Sequence, residues 1–230
     1  MHQIQEEIGI PKIKIQRISD SHAVFTVSPL PTGYGMTIGN AFRRVLLSSL
    51  PGAAVTGIRI EGVTYEYATI KGVKESVLDI ILNLKQLQLR KTSKESCIAV
   101  LKSNKEGIVT AKQIDVPSDV EVLNPDLYIT TLDKGGKLNI EIRIDKGVGY
   151  LPVAQMEKTD TTANIILVDA FFSPVKKVKY DVEATRVGSL TSLDKLTMEI
   201  QTNGAISPED ALKFASNVLK SYFNLFNVAD

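Results

Sequence analysis

The chain has no tryptophan, one cysteine (Cys97) and two histidines (His2 and His22) in 230 residues. A single thiol cannot close an internal disulfide, and one thiol with two imidazoles falls short of the four ligands of a structural zinc site. A disulfide-stapled scaffold and a zinc-organised fold are therefore excluded. Charge of one sign is also lacking: 27 Lys and Arg stand against 26 Asp and Glu, a formal net charge of +1. No electrostatic excess drives non-specific attraction to DNA or anionic lipid. Apolar runs such as Ile165-Ile166-Leu167-Val168 and Ala170-Phe171-Phe172 are far short of the ~20 residues that cross a bilayer. The opening Met1-His2-Gln3-Ile4-Gln5-Glu6-Glu7 is acidic where a secretory signal carries positive charge ahead of an apolar stretch, so neither export nor membrane insertion is expected, and the location expected is cytoplasmic.

What is present suits a globular fold: 43% hydrophobic and 23% charged residues, over about one and a half domains of typical size. Residues 12–18 and 22–27 alternate apolar and polar around Ser19-Asp20-Ser21 and predict a hairpin with one wet face. A turn-rich connector, Pro29-Leu30-Pro31-Thr32-Gly33-Tyr34-Gly35, leads into a helix ending near Ser49 ahead of Pro51-Gly52. Val55, Ile58 and Ile60 with Tyr65 and Tyr67 suggest a strand pair about Glu61-Gly62, followed by an amphipathic helix over 76–85. Between Leu87 and Tyr150, short β segments separated by turn residues predict an antiparallel sheet or small barrel. Residues 157–164 and 185–192 read as loops, and 165–168, 175–183 and 193–201 as strands. Ser207-Pro208-Glu209-Asp210 is the sharpest local signal: an N-cap serine, proline in the first turn and two acids at the positive end of the dipole open a long terminal helix.

The two long helices carry more apolar surface than simple seating requires. In the helix over 37–49, Ile38, Ala41, Phe42, Val45, Leu46 and Ser49 form a core stripe; Arg43 and Arg44 fall opposite it with Leu47 between them. Leu47 is either a lone exposed leucine or the apolar centre of an arginine-rimmed binding patch. In the terminal helix, Phe214, Ala215, Val218, Leu219, Tyr222, Phe223, Leu225 and Phe226 cover about half the circumference, more than the ~100° that seats a helix on its own core. Two readings follow. The helix is sunk between a sheet and a neighbouring helix, or the chain self-associates through it.

Catalytic chemistry is hard to assemble. His2 lies at a terminus and His22 in a hairpin, Gly33-Tyr34-Gly35-Met36-Thr37-Ile38-Gly39 lacks the spacing of a phosphate or dinucleotide loop, and no D-x-D run is present to hold magnesium. Those glycines suit tight turning and close packing. Lys176, Lys177 and Lys179 read as a solvated strand face. The residues alone thus describe an α+β protein with a self-association helix, a possible second protein-binding patch and no active site.

The segment Gly39-Asn40-Ala41-Phe42-Arg43-Arg44-Val45-Leu46-Leu47-Ser48-Ser49-Leu50-Pro51-Gly52 closely resembles the signature of the bacterial RNA polymerase α-subunit family, N-terminal domain. The resemblance continues through Asn83-Leu84-Lys85, Asn124-Pro125-Asp126, Gly149-Tyr150-Leu151-Pro152, Phe172-Ser173-Pro174-Val175-Lys176-Lys177-Val178, Val182-Glu183, Asp194-Lys195-Leu196 and Thr202-Asn203-Gly204. It implies an α+β fold in which a dimerisation subdomain, an antiparallel sheet with two long helices formed by 1–52 and 178–230, is interrupted by a β-rich subdomain over 53–177. It further implies a non-catalytic scaffold within a nucleotidyltransferase complex, a homodimer that nucleates assembly of the catalytic β and β′ subunits and meets ω and sigma factor only indirectly. Arg44, with Leu47 and Arg43, would bind β. Ile38, Phe42, Val45, Leu46, Phe214, Val218, Tyr222, Phe223 and Phe226 would form the dimer interface. No cofactor or metal is expected in this subunit, magnesium belonging to the catalytic subunits. The family continues into a small C-terminal domain that contacts promoter DNA and activators; this sequence ends at Asn227-Val228-Ala229-Asp230, so no direct DNA contact is expected of this portion. A stand-alone dimeric adaptor and a small-molecule enzyme using the β insert are the competing readings.

Overall fold

Backbone hydrogen bonding partitions the chain between two sheets with separate cores. A computed structural model describes residues 9–156, 165–188 and 190–227. In chain order the elements are β1 (Lys12–Ser19), β2 (His22–Leu30), α1 (Tyr34–Ser48), β3 (Pro51–Ile60), α2 (Val77–Leu84), β4 (Leu89–Lys91), β5 (Cys97–Ser103), β6 (Gly107–Thr110), β7 (Ile114–Asp115), β8 (Val120–Val122), β9 (Tyr128–Leu132), β10 (Leu138–Val148), β11 (Tyr150–Leu151), β12 (Ile166–Leu167), β13 (Ala170–Phe171), β14 (Val175–Val187), β15 (Leu190–Thr202) and α3 (Pro208–Asn224). Two units result, Met1–Leu50 with Ser173–Asp230, and Pro51–Phe172. The junctions fall two and five residues earlier than the expected 52 and 177, because Pro51 already pairs with Val148 and Val175 already pairs with Thr202.

The first unit is a four-stranded antiparallel sheet, order β1-β2-β15-β14, covered on one face by α1 and α3. Directly opposed residues share a face, so the register lays three rows across all four strands: Ile13-Val27-Leu196-Val182, Ile15-Phe25-Met198-Tyr180 and Arg17-Ala23-Ile200-Val178. Phe25, Leu196, Met198 and Ile200 are buried in these rows, together with Leu46 and Leu50 from α1 and its exit, and Ala211 and Ala215 from α3. The stretch 185–192, expected as a loop, instead carries the β14–β15 hairpin out to Val187 and Leu190, with Gly188 at φ +56°. Polar residues around Gly188 read as a loop, whereas the hairpin runs on beyond the core with its residues mostly exposed. The α3 start follows the local code: the Ser207 hydroxyl accepts from the Asp210 amide at 3.1 Å.

The second unit is β-rich. A seven-stranded antiparallel sheet, β7-β5-β10-β3-β4-β8 with β12 on β3, is joined by two small ribbons, β11-β13 and β6-β9. Helix α2 presents Val77, Ile80, Ile81 and Leu84 to the core, all buried, and closes its N-terminus with a Ser76–Asp79 capping box. The strand pair expected about Gly62 does not form. β3 is already engaged by β10, β4 and β12, and Tyr65 and Tyr67 stay exposed outside any strand. The 61–76 segment is tied to β9 instead. Lys74 donates its amide to the Thr131 carbonyl at 3.0 Å, and the Glu75 carboxylate accepts from the Thr131 amide at 2.8 Å, the Thr130 hydroxyl at 2.7 Å and the Tyr128 hydroxyl. Partial burial pushes the Glu75 carboxyl up, but these donors outweigh it and hold it below its ordinary value. The expected loop over 157–164 lies outside the described residues.

Candidate protein-binding surfaces

Helix α1 is seated by glycine. A Cβ on Gly35 would stand 2.7 Å from Val182 Cγ1, and one on Gly39 would stand 2.6 Å from Tyr180 Cδ2 and 3.0 Å from Leu196 Cδ1. The bare backbone of one turn after another therefore lies directly on β14 and β15. Buried residues of the helix are Gly35, Gly39 and Leu46, which turns the seated face about 80° away from the stripe centred on Ile38. Ile38, Phe42 and Val45 are thereby displaced to a flank, where they are partly buried. Leu46 is moved to the centre and is 0% exposed. It cannot contact a second copy, and its place in the expected dimer interface is corrected: it is core of its own protomer.

Arg44 lies opposite this seated face and Arg43 to one side of it; both are exposed, and no carboxylate lies within ion-pair distance of either among the described residues. Leu47 is not the isolated surface leucine that helical projection allowed. It is partly buried, with one edge packed on the core of the first unit and the rest open beside the two arginines. An anchored aliphatic side chain flanked by exposed guanidiniums is chemically able to receive an apolar residue and a carboxylate.

Helix α3 divides along its length. Its proximal half docks through the small residues Ala211 and Ala215, both 0% exposed, against α1, β2 and β15, and Glu209 pairs with Arg17 of β1. Projected at 100° per residue, Tyr222 and Phe226 continue the Ala211–Ala215 face, yet Phe226 is 82% exposed and Tyr222, Phe223 and Leu225 are open as well. Val218 is partly buried and Phe214 lies at the boundary of exposure. The alternative of a helix sunk along its whole length is thus overturned. The stripe that seats the first turns outruns the sheet beneath it.

Sequence reasoning missed one surface. The β1 isoleucines were expected to face a core, but every residue of β1 is exposed, including Ile13 and Ile15 on the same face as buried Phe25. Alternation announced the strand without revealing that the helices stop short of it.

His22 Nε2 lies 2.9 Å from Glu199 Oε1 across β2 and β15, and His2 is outside the described residues. Among the described residues no group of three or more His, Cys, Asp or Glu side chains could hold a metal ion, and no helix is long and apolar enough to cross a membrane. In the second unit the Lys91 ammonium, fully enclosed, donates to Asp119 at 2.6 Å and to Cys97 Sγ at 3.1 Å. The hydrogen bond from Lys91 holds the Asp119 carboxyl below its ordinary value, an arrangement that pins β4 to the neighbouring loop. A 500 Å³ depression lined by Arg59, Glu61, Thr64, Asn139 and Glu141 is open, and its Arg59 and Glu141 already satisfy each other.

Comparison with known proteins gives consistent results. A family model described as "RNA polymerase Rpb3/RpoA insert domain" matches residues 58–173. Three proteins named DNA-directed RNA polymerase subunit alpha are similar along almost the whole chain. That of Symbiobacterium thermophilum is 51% identical over 95% of this chain and 71% of its own length. That of Moorella thermoacetica is 48% identical over 96% and 70%, and that of Carboxydothermus hydrogenoformans 46% identical over 96% and 70%.

Proposed function

The chain belongs to the α-subunit family of bacterial DNA-directed RNA polymerase, and from that premise we propose that it is the non-catalytic scaffold of the enzyme, a homodimer on which the β and β′ subunits assemble. The observation that carries the dimer is the overhang of α3, whose Tyr222, Phe223 and Phe226 are 63%, 65% and 82% exposed. Covering side chains of that size stabilises by ~1.5–3 kcal/mol each, so three from each of two copies supply about 9–18 kcal/mol against an association cost of about 4–15. Ile38, Phe42, Val45, Phe214 and Val218 flank the overhang on the two helices and extend the same contact.

The β subunit is captured through Arg44 and Leu47, with Arg43 beside them, on the α1 face that points away from the sheet. A dimer presents this patch twice; β occupies one copy and β′ meets the other protomer. Omega and sigma factor join only through these large subunits. The chain supplies position and no reacting group, so the nucleotidyl-transfer chemistry and its magnesium belong to the partners, in the cytoplasm.

Arg44→Ala tests this reading. The variant is expected to sediment as a dimer at micromolar concentration and to lose at least nine-tenths of the β that co-purifies with the parent chain. Full β recovery would sink the assignment of Arg44. A parent chain that brings down no large polymerase subunits from its own lysate would make it a stand-alone adaptor instead.

A further inference from the structure

The insert buries a lysine where its strand calls for an apolar residue. Along β4 the core-facing positions are Leu89 and Lys91, with Arg90 exposed between them, and the Lys91 side chain is fully enclosed. Its ammonium donates to Asp119 Oδ2 at 2.6 Å and to the sulfur of Cys97, the first residue of β5, at 3.1 Å. The sulfur is fixed from another side as well, since the thiol donates to the Ile144 carbonyl of β10 at 3.6 Å. Asp119 is held in turn by the Thr92 amide, which its backbone carbonyl accepts at 3.1 Å. β4 and β5 are not neighbours in the sheet: β3 and β10 run between them, so the Lys91–Cys97 contact joins strands from its two flanks. A methionine at position 91 would fill the space without burying an ion. Packing alone gives no reason for an amine set against a thiol.

We propose that Cys97 and Lys91 are an oxidisable pair that closes into a covalent crosslink, an S–N bond made by one equivalent of hydrogen peroxide and undone by thiols. Cys97 is partly exposed, so an oxidant of that size reaches the sulfur. The sulfur attacks one peroxide oxygen, the O–O bond breaks, water leaves, and the thiol is oxidised by two electrons to a sulfenic acid. Lys91 passes one ammonium proton to solvent through Asp119, whose side chain is 28% exposed, and its amine attacks the same sulfur. The S–N bond forms, the S–O bond breaks, and the hydroxide leaves as water with a second proton from the nitrogen. In sum, a thiol, an ammonium and one peroxide give a sulfenamide, two waters and one proton. Backbone nitrogens capture sulfenic acids in the same way; here a side-chain nitrogen already stands in contact with the sulfur. The bond fastens the β4–β8 flank of the insert sheet to the β5–β7 flank, which makes the rigidity of the insert responsive to oxidant.

Peroxide treatment of the folded full chain, followed by tryptic digestion without reductant and mass spectrometry, tests the link. A modified Lys91 resists trypsin, so the expected product is the peptide 91–94 joined to 95–102, lighter than the two free peptides together by two hydrogens. Dithiothreitol is expected to return both free peptides. Cys97 carrying one or more oxygens while Lys91 is cleaved normally, or a thiol left unmodified by peroxide that oxidises free cysteine in the same tube, overturns the crosslink. A joined product heavier by one oxygen than the expected one overturns the direct S–N bond. The same treatment in denaturing urea is expected to give at least tenfold less joined product; an equal yield would show that the fold does not set the pair. Lys91→Met keeps the volume but cannot link, and is expected to leave the sulfenic acid open to dimedone, with at least tenfold more adduct than the parent chain. Equal adduct would show that Lys91 does not capture the sulfenic acid, and the masses from the parent chain decide the matter even where that variant fails to fold.

Discussion

The two units have similar lengths and close cores of different size. In the insert, twenty-four hydrophobic side chains form one buried cluster, and every core-directed residue of α2 is inside it. In the other unit the corresponding cluster has twelve buried members, while four large apolar residues at the end of α3 and three on β1 are exposed; the exposed apolar residues of the insert, among them Tyr65, Ile108 and Phe171, are spread over several elements. The insert closes the larger core. Clustered exposed apolar residues at one helix end are what the proposed completion of the first unit by another chain rests on.

That contrast can be broken by mutation, and the largest effect belongs to the insert. Ile80 is 0% exposed beneath α2, so Ile80→Ala is expected to cost about 2–5 kcal/mol of unfolding free energy, independent of protein concentration, as read from a denaturant midpoint. A loss below about 1 kcal/mol would show that this core is looser than its burial indicates. Next comes Gly39→Ala, whose new methyl meets Tyr180 and Leu196 at 2.6 and 3.0 Å. Overpacking of about 1–3 kcal/mol outweighs a helix-propensity gain of about 1, giving a lower melting temperature; a stabilised variant would mean that α1 is free to lift. Smallest in folding terms is Phe223→Asp. Its side chain touches little within the protomer, so unfolding of the monomer should change by no more than about 0.5 kcal/mol while sedimentation shifts from dimer to monomer. A variant that stays dimeric would move the self-association away from the α3 overhang and blur the distinction between the units.

How much was legible residue by residue follows the range of the forces involved. The α3 start was written locally, because Ser207, Pro208 and the two acids act within one turn. The α2 face was written in its apolar spacing. The 61–76 segment was misread because Tyr65 and Tyr67 looked like strand residues, whereas the edges of β3 were already taken by strands far along the chain. On α1, projection of apolar residues placed the core on Ile38 when glycine decided the matter. Gly35 and Gly39 contribute almost nothing to a hydrophobic pattern, yet they permit the closest approach to the sheet. That rotation sent Leu46 inward, out of the expected dimer interface, and brought one edge of Leu47 onto the core.

The sequence by itself determined the class of fold, the positions of both long helices, the surplus apolar surface of the second and, through its signature residues, the family. These follow from periodicity, capping and residue identity, which are local properties. Only the tertiary structure decided which side chains that surplus leaves uncovered. Exposure depends on where the sheet ends beneath a helix, and that edge is set by strand pairings as distant as Ala23 with Ile200. The near-absence of net charge, read first as a lack, is consistent with the proposal that open apolar surfaces of this chain are covered by other proteins.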